Sequence, residues 1–218
     1  VSPQDLFSTV VQVAVLLFAV SVHESAHGLV ALKFGDTTAR DLGRISLNPI
    51  RHIDLVGSIL LPAILAFSGA PVFGWAKPVP INLSGVKNPR KANFFVSAAG
   101  PLSNMAIALT FSVLLVVMGP FFRGHSDPAS LWIPILLVVV YSVAVNVSLA
   151  LFNLLPIPPL DGFGVLESLI PARFYKVTEW MRRFGFIILF VAVLSGGLRY
   201  ILGPPQSQLI RWLLGLGS

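Results

Sequence analysis

Polar positions are sparse along this chain, and the long gaps between them set its organisation. Apolar stretches cover roughly residues 6–33, 94–118, 131–155 and 184–202. A helix that crosses a bilayer needs about 20 consecutive apolar residues, so these four stretches are read as spanning helices. A fifth, 55–69 (LVGSILLPAILAFSG), is marginal because it is short and contains Pro62. The residues after it, APVFGWAKPVPINLSG, are broken by Pro and Gly in the manner of turns and short strands. The tail QSQLIRWLLGLGS carries one Arg, one Trp and several Leu, a composition expected to lie flat in the membrane interface. The pattern therefore predicts an all-α polytopic membrane protein. It has about four spanning helices, a re-entrant hairpin or extended loop over 55–92, and an interfacial C-terminal helix, all in one membrane-embedded domain over 1–218.

Composition narrows the functional classes. Of the 218 residues 55% are hydrophobic and 11% charged, with a mean hydropathy of +0.84, which excludes a soluble globular domain. The net charge is +6. The Lys and Arg residues sit between the apolar stretches, so they point to lipid headgroups and to topology, not to nucleic acid. There is no cysteine, which excludes both a disulfide framework and a cysteine-ligated metal. The first apolar stretch is too long for the core of a cleavable signal peptide and is read as a resident helix.

That first stretch contains SVHESAHGLV, residues 21–30, and no other charge between Asp5 and Lys33. Ionisable groups are costly in hydrocarbon and mark functional sites by default. His23 and His27 are four apart, which places both imidazoles on one helical face. Glu24 lies beside that face. The pattern H-E-x-x-H supplies two metal ligands and a general base, and coordination offsets the desolvation of these groups. A catalytic zinc takes a third protein ligand. His52, Asp54, His125, Asp161 and Glu167 are the candidates. His125 falls in the polar loop FRGHSDP, and His52 and Asp54 fall in NPIRHID, where turn and helix-cap roles compete. Asp161 closes NLLPIPPLDG, in which Pro156, Pro158 and Pro159 end a membrane helix. Non-helical backbone at that depth is tolerated where protein or water covers it. A helix-cap role for Asp161 is the competing reading.

Together HESAH and NLLPIPPLDG (Asn153–Gly162) resemble the site-2 protease family of intramembrane zinc metalloproteases, which pairs an HExxH helix with a downstream NxxPxPxLDG motif. The segment AAGPLSNM (98–105) resembles the family's middle core helix, and GWAKPVPIN (74–82) its membrane-associated extended loop. The resemblance covers about residues 6–171, leaving 172–218 as accessory helices, and the chain has no room within it for a PDZ or CBS domain. It implies one zinc per chain held by His23, His27 and Asp161, with Glu24 as acid/base and Asn153 assisting at the substrate carbonyl. It also implies a transmembrane protein or peptide as substrate, surrounded by membrane lipid.

Ligands that share an ion must lie at one depth. His23 and His27 are near the C-terminal end of the first helix, and Asp161 follows the helix 131–155, so both helices exit on one side. Segment 55–92 then makes no net crossing. On this topology twelve of the fifteen Lys and Arg residues face one side, which the positive-inside rule makes cytoplasmic, as expected for an enzyme of the cell membrane. Residues 72–83 offer either an edge for a strand-like substrate or a structural plug. Asn146, seven before Asn153, is expected to hydrogen-bond across helices. Two other classes fit parts of the pattern: a membrane metal-binding or transport protein, and an inactive relative that binds membrane proteins.

Overall fold

The computed structural model describes residues 3–69, 74–123 and 132–216; the candidate ligand His125 lies outside them. In chain order the helices are α1 (Pro3–Lys33), a single turn α2 (Thr38–Asp41), α3 (Leu61–Ser68), α4 (Pro89–Arg123), α5 (Trp132–Asn153), α6 (Asp161–Leu169), α7 (Tyr175–Leu194) and α8 (Gly197–Leu213). No strand occurs among the described residues. Three helices, α1, α4 and α5, are long and apolar enough to cross a membrane, and the bent pair α7–α8 makes a fourth if taken as one span.

Sequence explains how α1, α4 and α5 pack. Their shared core is built from small residues, with Ala19, Ala108, Val143, Val147 and Ala150 fully buried and Val96 nearly so. Lipid is as apolar as leucine, so membrane helices associate through close packing of small side chains and through buried polar bonds. Two ridges of fourfold spacing meet here. Residues 19, 23 and 27 of α1 run against 104, 100 and 96 of α4: Asn104 bonds Ala19 and His23, Gly100 abuts both histidines, and Val96 bonds His27. Such i±4 rows are the natural ridges of a helix surface.

The expected excursion over 55–69 is a short apolar helix that folds back. Asp54 caps it, its carboxylate accepting from the N–H groups of Val56 and Gly57. The chain then returns to its starting level: the Trp75 N–H donates to the Gly57 carbonyl and the Lys77 N–H to the His52 carbonyl. Residues 74–82 are an extended strap, neither helix nor ladder strand.

The C-terminal region differs from the simple reading. The stretch 184–202 is not one straight helix, because the chain bends by 76° between Leu194 and Gly197. Gly196 sits there at φ 72°, a conformation that glycine adopts without penalty. The tail belongs to α8 and packs inward at its end. Leu213 is buried against Ala108, Val143 and Val147, its carbonyl accepts from Ser112, and Gln206 donates to Ser148 on α5.

Candidate metal centre

Asp161 reaches the histidines because of what precedes it. α5 stops at Asn153, and the proline-rich turn folds back on the end of that helix, with Gly162 packed against the Leu154 carbonyl so closely that no Cβ fits. Leu160, not Asp161, occupies the N-cap of α6, so Asp161 is the first residue of that helix and its carboxylate is free to turn away. It turns to α1. His23 Nε2 lies 3.0 Å from Asp161 Oδ2, and His27 Nε2 lies 3.4 Å from Oδ1. The two imidazoles are 7% exposed or less and stand edge to face at 4.7 Å. One potential ligand atom from each of the three residues falls within 4.8 Å of the others.

The outer nitrogens decide what this cluster can hold. His23 Nδ1 is 2.6 Å from Asn104 Oδ1, and His27 Nδ1 is 2.6 Å from the Val96 carbonyl. Both neighbours are acceptors in this arrangement, because Asn104 uses its Nδ2 to donate to Asn146 Oδ1 and to Ala19. Each Nδ1 therefore carries a proton, and in the neutral imidazole that leaves the Nε2 lone pair pointing at a carboxylate. Acceptors that face acceptors in a buried site repel unless a cation lies between them, and Asp161 Oδ2 is buried with no hydrogen-bond partner. Zinc bonds of about 2.0–2.1 Å in a tetrahedron separate ligand atoms by roughly 3.3 Å, and the two measured separations bracket that value. The floor is equally specific. A Cβ on Gly100 would stand 2.6 Å from His23 Nε2 and closer still to His27 Nε2, so the absent side chain is what leaves room there. Two imidazoles and a carboxylate, with both rings oriented by second partners, suit a divalent transition metal.

Glu24 is half-buried beside this cluster, and its Oε2 accepts a 2.9 Å bond from the Val79 N–H. The strap is laid down so that this contact forms. The N–H groups of residues 75, 77 and 79 all face inward, Arg44 Nη2 holds the carbonyls of Lys77 and Pro78, and the Asn82 N–H donates to Asp36. Val79 packs on Gly28, one turn beyond Glu24, where an added Cβ would meet Val79 Cγ1 at 3.3 Å and Ile45 Cγ1 at 3.0 Å.

The remaining candidates separate cleanly. His52 is buried and bonds the Ser46 carbonyl, Asp54 caps its helix, and Glu167 pairs with Arg182 at 2.6 Å, so none of them joins the cluster. Asn153 ends α5, and its Nδ2 donates to Leu149 in its own helix; it hydrogen-bonds none of the four clustered residues. Asn146 does bond across helices, to Asn104. Four participants escape a search for titratable residues: Val96, Gly100, Asn104 and the Val79 amide. The first three recur every four residues along VSAAGPLSN (96–104), which is a legible signal. The amide has no side-chain signature.

Comparison with known proteins gives the cluster its context. The family model for peptidase family M50 matches residues 127–192, which contain Asp161. "Putative zinc metalloprotease YwhC" of Bacillus subtilis is 39% identical over 88% of this chain and 84% of its own length. The chain belongs to peptidase family M50, the site-2 proteases. "Putative zinc metalloprotease Rip2" of Mycolicibacterium smegmatis is 29% identical over 84% of this chain and 66% of its own length. "Putative zinc metalloprotease Rip3" of Mycobacterium tuberculosis is 24% identical over 93% of this chain and 42% of its own length. No solved structure matches. This M50 chain is thus a multi-pass membrane protein of a metallopeptidase family, with a His-His-Asp cluster on its first helix and at the start of α6.

Proposed function

We propose that the protein is a zinc-dependent endopeptidase that hydrolyses peptide bonds within or near the transmembrane segments of membrane proteins. The observation that carries this reading is the meeting of His23, His27 and Asp161, with both Nδ1 atoms tied to acceptors and Glu24 alongside. In this reading residues 6–171 form the catalytic core and hold one zinc through His23 Nε2, His27 Nε2 and Asp161. When bound, zinc supplies Lewis acidity that polarises a carbonyl and acidifies water. Glu24 takes the proton from the attacking water and passes it to the leaving amine. The Val79 N–H holds Glu24 Oε2, which leaves Oε1 as the oxygen that handles the proton. Asn153 stands at the end of α5, and its amide assists at the substrate carbonyl after leaving Leu149.

A helical substrate hides its peptide bonds and has to unwind locally. The strap is poorly suited to pair with it as a full β-edge. Its N–H groups at residues 75, 77 and 79 are already used, and between them Pro78 and Pro80 have no N–H to offer. This supports the strap as a holder of Glu24 more than as a pairing partner. The site is assigned to the cytoplasmic side of the cell membrane, supported by the placement of twelve of fifteen basic residues.

The test uses purified protein reconstituted with single-span substrates, with cleavage products weighed by mass spectrometry. Wild type is expected to cleave and to lose activity when a chelator strips the metal. Glu24→Gln is expected to keep its zinc and lose cleavage, because an amide does not accept the proton. Wild-type turnover by Glu24→Gln refutes the mechanism.

A further inference from the structure

Outside the metal centre, three cations meet in a cleft of about 560 Å³ where the residues after α2, the 49–53 segment and the strap come together: Arg44, Arg51 and Lys77. None of the three pairs with a carboxylate among the described residues. Asp41, the acid on the cleft wall, is already engaged by Arg40 and by the Thr37 hydroxyl. The arginines touch backbone instead. Arg51 donates to the Gly43 carbonyl, and Arg44 Nη2 donates to the Lys77 and Pro78 carbonyls at 2.8 and 3.3 Å. Arg44 Nε is buried with no partner. A guanidinium carries five N–H donors, so both arginines keep donors in reserve. Like charges lining one cleft repel, and an anion among them reverses the sign of that energy.

The apolar rim decides which anion. Leu42 and Ile50 line the same cleft and are 64% and 74% exposed. Unpaired cations beside bare aliphatic side chains match the boundary between headgroups and acyl chains. A soluble anion answers the cations and leaves the aliphatic rim in water, whereas an anionic phospholipid covers both. We propose that this cleft binds the phosphate of an anionic phospholipid through Arg44, Arg51 and Lys77, with the acyl chains lying on Leu42 and Ile50. The site stands independently of the catalytic reading. It also abuts the strap: Arg44 grips the carbonyls of Lys77 and Pro78, and the next residue, Val79, carries the amide that holds Glu24.

The experiment is native mass spectrometry on the full chain in detergent, titrated with phosphatidylglycerol or with phosphatidylcholine of the same acyl chains. One phosphatidylglycerol is expected to stay bound per chain, in preference to phosphatidylcholine. Arg51→Gln with Lys77→Gln is expected to weaken its retention about thirtyfold, from the loss of two basic groups at the lipid surface. Both side chains are exposed, and an unchanged thermal melt verifies the fold. The same charge loss at Lys87→Gln with Lys91→Gln is expected to leave retention unchanged. Equal binding of the two lipids, equal retention by the Arg51/Lys77 variant, or equal loss in the Lys87/Lys91 variant overturns the site. Displacement of the lipid by millimolar inorganic phosphate alone overturns the lipid assignment.

Discussion

Gly100→Ala is the sharpest probe of the metal centre, because it adds one methyl group and changes no candidate ligand. The new Cβ would lie 2.6 Å from His23 Cε1 and Nε2, which is 0.8 Å inside the 3.4 Å at which ordinary contact begins, and nearer still to His27 Nε2. The rings cannot simply recede, since His23 Nδ1 is held at Asn104 and His27 Nδ1 at the Val96 carbonyl. Metal–ligand distances tolerate displacements of about 0.2 Å, so a shift of several tenths of an ångström breaks the set. Overpacking costs about 1–3 kcal/mol, and replacing glycine with alanine inside a helix returns up to about 1 kcal/mol. The variant therefore folds, somewhat less stable than wild type, while its zinc affinity falls by at least about tenfold, as even a disturbed outer partner produces. The assay is zinc affinity by competition with a chelator, with a thermal melt of the same sample. Wild-type zinc affinity in a folded Gly100→Ala protein would refute the placement of the metal against α4.

Asn104→Ala removes the acceptor at 2.6 Å from His23 Nδ1 and is expected to weaken zinc about 10- to 100-fold in a chelator competition; unchanged affinity would reduce the Asn104–Asn146 pair to a structural link. Asp36 anchors the far end of the strap. Burial pushes its carboxyl up, but hydrogen bonds from Thr38 and Asn82 outweigh that and hold it below the usual carboxylate range. A depressed folded value means that the anchor is fully in force above the unfolded pKa of about 3.9 and is lost as pH falls through the folded one. Exchange of the Asn82 amide is thus expected to show constant protection from neutral pH down to about 5 and to lose it at lower pH, with Asp36→Ala losing it at neutral pH. Equal protection of that amide in Asp36→Ala would remove Asp36 as the anchor.

The parts of the molecule that follow a simple physical period were open to reading from sequence. Length and apolarity located α1, α4 and α5, although α4 runs from Pro89 to Arg123, well beyond 94–118, because helix ends extend into polar residues that hydropathy does not count. The fourfold spacing of His23 and His27 and the prolines before Asp161 likewise led to residues that the fold brings together. What escaped lacked a period or a side chain. The bend after Leu194 comes from Ser195, Gly196 and Gly197 inside an apolar stretch, where total hydropathy hides the break. The tail is amphipathic as its sequence indicates, but the seating of Leu213 against α4 and α5 depends on a place that no local pattern announces. The hold on Glu24 runs through a main-chain N–H, and every residue but proline has one.

X-ray absorption at the zinc edge reports whether His23, His27 and Asp161 bind one zinc. Wild-type protein, purified without added metal, is expected to contain about one zinc per chain with two imidazole nitrogens and oxygen donors at about 2.0–2.2 Å. Asp161→Ala is expected to lose most of the metal and, in what remains, an oxygen donor. Absence of stoichiometric zinc, a spectrum with a single imidazole, or an Asp161→Ala spectrum identical to wild type would contradict the account.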